Sequence, residues 1–428
     1  MSLLIQNAII VNADKKETKE QDILIEKGKI TKIGSGLKVD GVKTLDAKGK
    51  LVFPGLIDIH VHFREPGQEH KENIETGAKA AVKGGFTTVM CMPNTNPVID
   101  SRMLVEGILN ASKRVGLCNV LPIGAITKGQ KDGELVDMAE MKEAGCLALS
   151  DDGKSVLNSQ LMRRAMEYSK MVDVILMEHC EDFDLSAGGC MNESVTSTKL
   201  GLKGHAGIAE TVIVGRDIEL ANYVGAKIHM CHMSLKRSVE LIRFAKSQGI
   251  QVTAEVCPHH FTLTDEAVGT FCTNAKMNPP LRTQEDIEAL KEGLKDGTID
   301  CIVTDHAPHT FEEKEVDFDH APFGIIGLET SAPLTMTELV HPGVLTWEQM
   351  ADRMSAAPAR IVGLENKGWL KEGYDGDVAI IDPNEEWVFT ENDIASKSKN
   401  TPFIGYKMKG RVKATVFGGK IVYQHVED

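Results

Sequence analysis

An eightfold alternation constrains this chain more than any other feature. Short apolar runs are each followed by a stretch with helical spacing. The runs are LIDIHVHF (56–63), TTVMCMP (87–93), NVLPIGAI (119–126), CLALSDD (146–152), VILMEHC (174–180), KIHMCHMS (227–234), VTAEVCPHH (252–260) and CIVTDHAPH (301–309). Segments between them, such as ENIETGAKAAVKGG and LVEGILNASKRVG, keep an amphipathic period and stop at glycine. Eight β/α units predict a parallel sheet, most economically a closed (β/α)8 TIM barrel. An open doubly wound sheet would call for a glycine-rich phosphate loop after its first strand, and none follows LIDIHVHF.

The ends of the chain read differently. AIIVNA, DILIEKG and KITKIGSG at the start, and DVAIID, EWVFT, RVKATVFGG and KIVYQ at the end, are short β-type runs with glycine punctuation. We expect residues 1–52 plus 369–428 to form one composite β-sandwich domain, and 53–368 to form the barrel. The first residues read as a strand rather than a signal peptide, since no basic leader precedes them. No apolar stretch suits a bilayer span. A formal net charge of −14 argues against nucleic acid or an anionic membrane as partner. It leaves room for a small anionic substrate held by a local positive site. Nine scattered cysteines without a CxxC pair suit reduced thiols and a cytoplasmic setting.

In a parallel barrel the chemistry lies at the C-terminal ends of the strands. Those ends carry His60 and His62, Asp151 and Asp152, His179, His232, and Asp305. Any one of these is unremarkable alone: an HxH pair recurs by chance, and a single buried histidine is usually a packing residue. Their coincidence at the mouth of one barrel is what points to a metal such as zinc, with ligands enough for two ions. Strand phase separates the two aspartates. Asp58, His60 and His62 share one face, and Ile57, Ile59, Val61 and Phe63 the other. By the same alternation Asp152 should point into the mouth, while Asp151 turns outward and shapes the turn. Cys180 and Cys231 each neighbour a ligand candidate, so the alternation predicts that they face away. His205 reads as structural, and His229 is left without a role.

Several stretches carry a resemblance. DIHVHFREPG, GGFTTVMCMPNTNPV, MEHCED, MNPPLR, TDHAPH and GIIGLET resemble the dihydroorotases of the longer bacterial type, in the amidohydrolase superfamily, and the likeness covers nearly all of the chain. The one small departure is Val303, a packing position. The resemblance implies a zinc-dependent cyclic amidohydrolase that interconverts N-carbamoyl-L-aspartate and L-dihydroorotate in pyrimidine biosynthesis. It implies two zinc ions, bridged by Asp152 and a hydroxide. His60, His62 and Asp305 would hold one ion and His179 and His232 the other, with Asp305 also carrying the proton. Arg64, Asn94 and His309 would bind the substrate carboxylate, and Asn278 the pyrimidine ring. HAPFGIIG (320–327) would be a mobile loop whose backbone near Phe323 and Gly324 closes over the ring. A homodimer, with possible association to aspartate transcarbamoylase, is implied too. Two alternatives stand beside this. One is a hydantoinase, dihydropyrimidinase or allantoinase, whose neutral ring gives Arg64 nothing to bind and whose metals are bridged by a carboxylated lysine. The other is an inactive scaffold partner of the transcarbamoylase, which the full set of ligand candidates argues against.

Overall fold

The computed structural model describes residues 2–426. Strands β1 (Ser2–Ile10), β2 (Gln21–Glu26), β3 (Lys29–Gly34), β4 (Lys43–Asp46) and β5 (Leu51–Pro54) open the chain. The barrel strands follow: β6 (Leu56–Val61), β7 (Phe86–Cys91), β8 (Asn119–Pro122), β9 (Ala148–Ser150) and β10 (Ile175–Glu178). A two-stranded excursion comes next, β11 (Met191–Asn192) beside β12 (Gly204–His205). Barrel strands β13 (Ile228–Met230), β14 (Val252–Val256) and β15 (Cys301–Ile302) complete the middle of the chain. The chain ends with β16 (Val378–Val388), β17 (Lys407–Phe417) and β18 (Lys420–Gln424).

The terminal strands join in one sheet, ordered β18-β17-β16-β5-β1-β2-β3, with β4 on β1. Leu3, Ile5, Ile23, Ile25, Val378 and Val416 make an apolar cluster of their own there. DVAIID and EWVFT, two runs in the sequence, contribute to a single long strand; its pairing with β17 slips between Asp382 and Glu386.

The eight middle strands are parallel. β6-β7-β8 form one sheet and β9-β10-β13-β14-β15 another. Two bridges close the ring, Gly124 to Leu149 on one side and Val61 to His306 on the other. A helix follows each strand before the next barrel strand, as in Ile74–Lys83 after β6 and Arg102–Val115 after β7. Their ends are written locally. Asn73 caps the first through the Thr76 amide, in a capping box, and Asn158 caps Ser159–Val172 through the amides of Gln160 and Leu161.

Two apolar layers result. One lies between ring and helices and holds Val61, Phe63, Val89, Leu149 and Leu176. The other fills the ring and holds Ile57, Ile59, Met90, Ala148, Met177, Cys231, Cys301 and Val303. This corrects the simple alternation on β6. Ile57 and Ile59 lie inside the ring, while Val61 and Phe63 face the helices. The β6–β7 register slips between Asp58 and Val61, and the slip lets His60 turn inward beside Ile59. Cys231 is a second correction, since it too lies inside. Among the described residues, no helix is long and apolar enough to cross a membrane.

Candidate metal centre and substrate cavity

At the C-terminal mouth of the ring a cavity of about 250 Å³ is lined by His62, Arg64, Asn94, Asp152, Gly153, His179, His232, Asn278, Asp305, Ala307, His309, Phe323 and Gly324. His60 lies directly beneath, fully buried. Every residue that the resemblance assigned to metal or substrate is therefore brought to one place. Non-local neighbours do this: β6 supplies His60, β15 leads into Asp305, and the ring closes between those two strands.

Asp152 stands at the centre. Its Oδ1 is 3.4 Å from His60 Nε2, 3.8 Å from His179 Nδ1 and 3.6 Å from His232 Nε2; its Oδ2 is 3.4 Å from His62 Nε2. Asp305 Oδ1 is 3.0 Å from His62 Nε2 and 3.6 Å from His60 Nε2. His60 Nε2 and Asp152 Oδ1 are buried without a hydrogen-bond partner. Natively buried polar atoms are nearly always satisfied, so orphans clustered in one spot need a missing partner. Ligand atoms around a tetrahedral zinc with bonds of about 2 Å lie about 3.3 Å apart, which is the spacing found here. The donor set of imidazole and carboxylate suits the same ion. Burial raises both carboxyls, but the surrounding imidazoles outweigh it and hold Asp152 and Asp305 well below the usual range, so both are ionised.

The backbone is strained where it presents these groups. Arg64 (φ 62°), His232 (φ 36°) and Asp305 (φ 48°) are non-glycine residues in the left-handed region. Such conformations persist only where surrounding structure imposes them, and they gather at functional sites. The turn at His232 also explains Cys231: the backbone reverses there, so neighbours no longer alternate.

A set of supporting groups went unread in the sequence. Glu255, at the end of β14, accepts from His60 Nδ1 at 2.5 Å and from His229 Nε2 at 2.9 Å. That contact orients His60 so that Nε2 faces the cluster. Burial raises the Glu255 carboxyl, yet His60 and His229 bring it down to about 2. Glu181 does the same for His179 at 2.8 Å and is itself held by His205 at 3.0 Å. His205 and His229 therefore serve the site through a carboxylate. For Glu181 the one signal available was its place two residues beyond His179, and for Glu255, on a strand without a ligand candidate, there was none. Asn94 has two jobs. It lines the cavity, and its Oδ1 accepts from His62 Nδ1 at 2.9 Å.

Asp151 turns outward, as its phase predicts. It accepts from the Ile126 amide at 2.8 Å, the Thr127 amide at 3.1 Å and the Thr127 hydroxyl. Lys154, the one lysine near enough in sequence to bridge metals after carboxylation, points instead to the Gln130 carbonyl, outside the cavity.

The opposite wall is cationic. Arg64 is buried, and its Nε donates to the Pro308 carbonyl at 3.2 Å. Burial pushes its guanidinium down to about 10, which leaves it charged at neutral pH. Burial, then the charges of Arg64, Lys314 and Lys71, push the His309 imidazole down to about 3, so it is neutral. Its Nδ1 meets Glu313 at 3.0 Å, and its Nε2 lies between Arg64 and the Phe323 carbonyl, 3.3 and 2.9 Å away. The backbone of the loop around residues 318–324 is held here by three hydrogen bonds. Gly324 N donates to the Lys276 carbonyl (2.9 Å), Lys276 Nζ to that of Phe318 (2.8 Å) and Lys314 Nζ to that of Pro322 (2.7 Å).

Fold and site together define a class, a barrel hydrolase with a carboxylate-imidazole metal centre. A family model described as "Amidohydrolase family" matches residues 272–423, and one described as "Dihydro-orotase-like" matches residues 49–238. The chain is 50% identical over 424 residues to a dihydroorotase of Trichlorobacter lovleyi, covering 99% of both. It is 52% identical over 424 residues to that of Pelotomaculum thermopropionicum, again covering 99% of both. Among solved structures it matches an L-hydantoinase (dihydropyrimidinase) of Arthrobacter aurescens with a TM-score of 0.88 at 25% identity, over 99% of this chain and 96% of that one. The chain belongs to the dihydroorotase family.

Proposed function

We propose that this protein is a zinc-dependent dihydroorotase, interconverting N-carbamoyl-L-aspartate and L-dihydroorotate. The observation that carries it is the pairing in one cavity of a carboxylate-imidazole cluster with the buried Arg64 guanidinium. A neutral ring would leave that charge unanswered, whereas the carboxylate of dihydroorotate answers it with bidentate geometry. The hydantoinase likeness is one of fold.

His60, His62 and Asp305 would hold one zinc ion and His179 and His232 a second, with Asp152 shared. Bound there, zinc supplies Lewis-acid stabilisation of the ring carbonyl and acidifies water. The chain's own groups do the rest. Arg64, with His309 and Asn94 beside it, binds the substrate carboxylate and fixes the ring's orientation. Asn278 meets the ring, and the Phe323–Gly324 backbone covers it and excludes water. Asp305, ionised and lining the cavity, takes the proton of the attacking water and returns it to the leaving ring nitrogen.

We assign the terminal strands to one composite β-sandwich domain (1–52 plus 369–428) and residues 53–368 to the catalytic barrel; the sheet joining both termini supports this. The nine unpaired cysteines support a cytoplasmic setting. We assign a homodimer, which sedimentation tests; the same run with aspartate transcarbamoylase added tests that association. The deciding experiment is a parallel assay on dihydroorotate, dihydrouracil and allantoin. Turnover of dihydroorotate alone is expected. Turnover of either neutral ring without dihydroorotate would overturn the proposal.

A further inference from the structure

Glu181 stands where the metal centre and the substrate cavity meet, and it is 6% exposed. Its Oε2 lies 2.8 Å from His179 Nε2 and 2.7 Å from Asn278 Nδ2; its Oε1 lies 3.0 Å from His205 Nε2. An ionised carboxylate accepts and never donates. All three neighbours must therefore donate to it, and that fixes their chemistry. His179 carries its proton on Nε2, so Nδ1 holds the lone pair. That atom faces the cluster, 3.8 Å from Asp152 Oδ1 and 2.9 Å from His232 Nε2. Asn278 gives one N–H of its NH2 to Glu181, which fixes the orientation of the amide and leaves Oδ1 and the second N–H to the cavity it lines.

We propose that Glu181 is a positioning residue that sets both side chains at once: His179 toward the metal through Nδ1, and the Asn278 amide in one fixed orientation toward the substrate. The backbone that carries the carboxylate is tied down. The Glu181 amide donates to Ser155 Oγ at 3.0 Å, and that hydroxyl also reaches the His179 carbonyl. His205, on β12, closes the remaining oxygen. The metal ligand and the substrate reader therefore share one anchor.

The inference rests on the function proposed above, so the test carries both readouts. Zinc affinity is measured by chelator competition and KM by dihydroorotate turnover. Wild-type protein lacking zinc or turnover would sink the function itself. In active enzyme, Glu181→Gln should weaken zinc binding about 10- to 100-fold and raise KM about tenfold, the loss of roughly one hydrogen bond. Asn278→Ala should raise KM similarly and leave zinc affinity as it was. In the Asn278→Ala background Glu181→Gln should then move KM by less than about threefold, because the two act through one contact. A wild-type value for either readout in Glu181→Gln would overturn the inference. Should Glu181→Gln not fold, Asn278→Asp replaces it. It sets two carboxylates together and should weaken zinc binding where Asn278→Ala does not. Equal zinc affinity in Asn278→Asp and Asn278→Ala would refute the shared anchor.

Discussion

Arg64→Met keeps a long side chain in place and removes the guanidinium. Arg64 Nε is already committed to the Pro308 carbonyl and one N–H of Nη2 faces His309 Nε2, so Nη1 and the second N–H of Nη2 remain for a ligand. The side chain is 9% exposed, so the contacts it makes are desolvated. Hydrogen bonds to a charged partner are worth about 1.5–3 kcal/mol each. Two of them, discounted for sharing one carboxylate, come to about 3–5 kcal/mol. At about 1.4 kcal/mol per decade, kcat/KM for dihydroorotate should fall about a hundred- to three-thousand-fold. Any slow turnover of dihydrouracil, which has no carboxylate, should change by less than about threefold, since no contact is lost. Steady-state assays on both substrates, with zinc content and melting temperature measured beside them, give the comparison. If dihydroorotate turnover stays within about fivefold of wild type at unchanged zinc content, the carboxylate is bound elsewhere and the reasoning fails.

Asp152→Ala should strip zinc and abolish activity, while Asp151→Ala should keep zinc and cost stability, about 1–3 kcal/mol for the orphaned amides of Ile126 and Thr127; metal analysis and thermal melts would expose a reversed pattern. Asp305→Ala should lose about 10²–10⁴-fold or more in kcat even where metal is retained, and a variant with near-normal kcat would show that another group carries the proton. Lys314 gives a pH test: burial pushes its ammonium down to about 7, against about 10.4 when unfolded. Between those values the unfolded chain holds the extra proton, so wild-type stability should rise with pH from about 7 toward 10, by at most about 1.4 kcal/mol per unit. Melting temperatures of Lys314→Met against wild type should therefore diverge across that range, and parallel curves would refute the shift.

The barrel was legible because eight parallel strands repeat one pattern and their C-terminal ends are the one place where it delivers function. His60, His62, His179, His232 and Asp305 could be read from position, and Asp152 from phase. What the sequence hid follows from breaks in that regularity. The register slip on β6 turns His60 inward next to Ile59, and the left-handed turn at His232 leaves Cys231 inside the ring; a strict two-residue period cannot express either. Glu255 and Glu181 were missed for another reason. Each acts through a histidine rather than at the cavity's centre; Glu181 follows His179 by two residues, but its second partner His205, like both histidines on Glu255, comes from another element.

The ring's last seam runs through the metal centre: Val61 bridges His306, and His62 meets Asp305 across 243 positions of chain. During synthesis the ligand set stays incomplete until residue 305 has left the ribosome and its strand has docked against the first. Closing so long a loop carries an entropic cost that the local contacts of single β/α units do not. A nascent or truncated chain that stops short of this strand would offer only part of the proposed coordination shell, so zinc uptake would report a finished barrel.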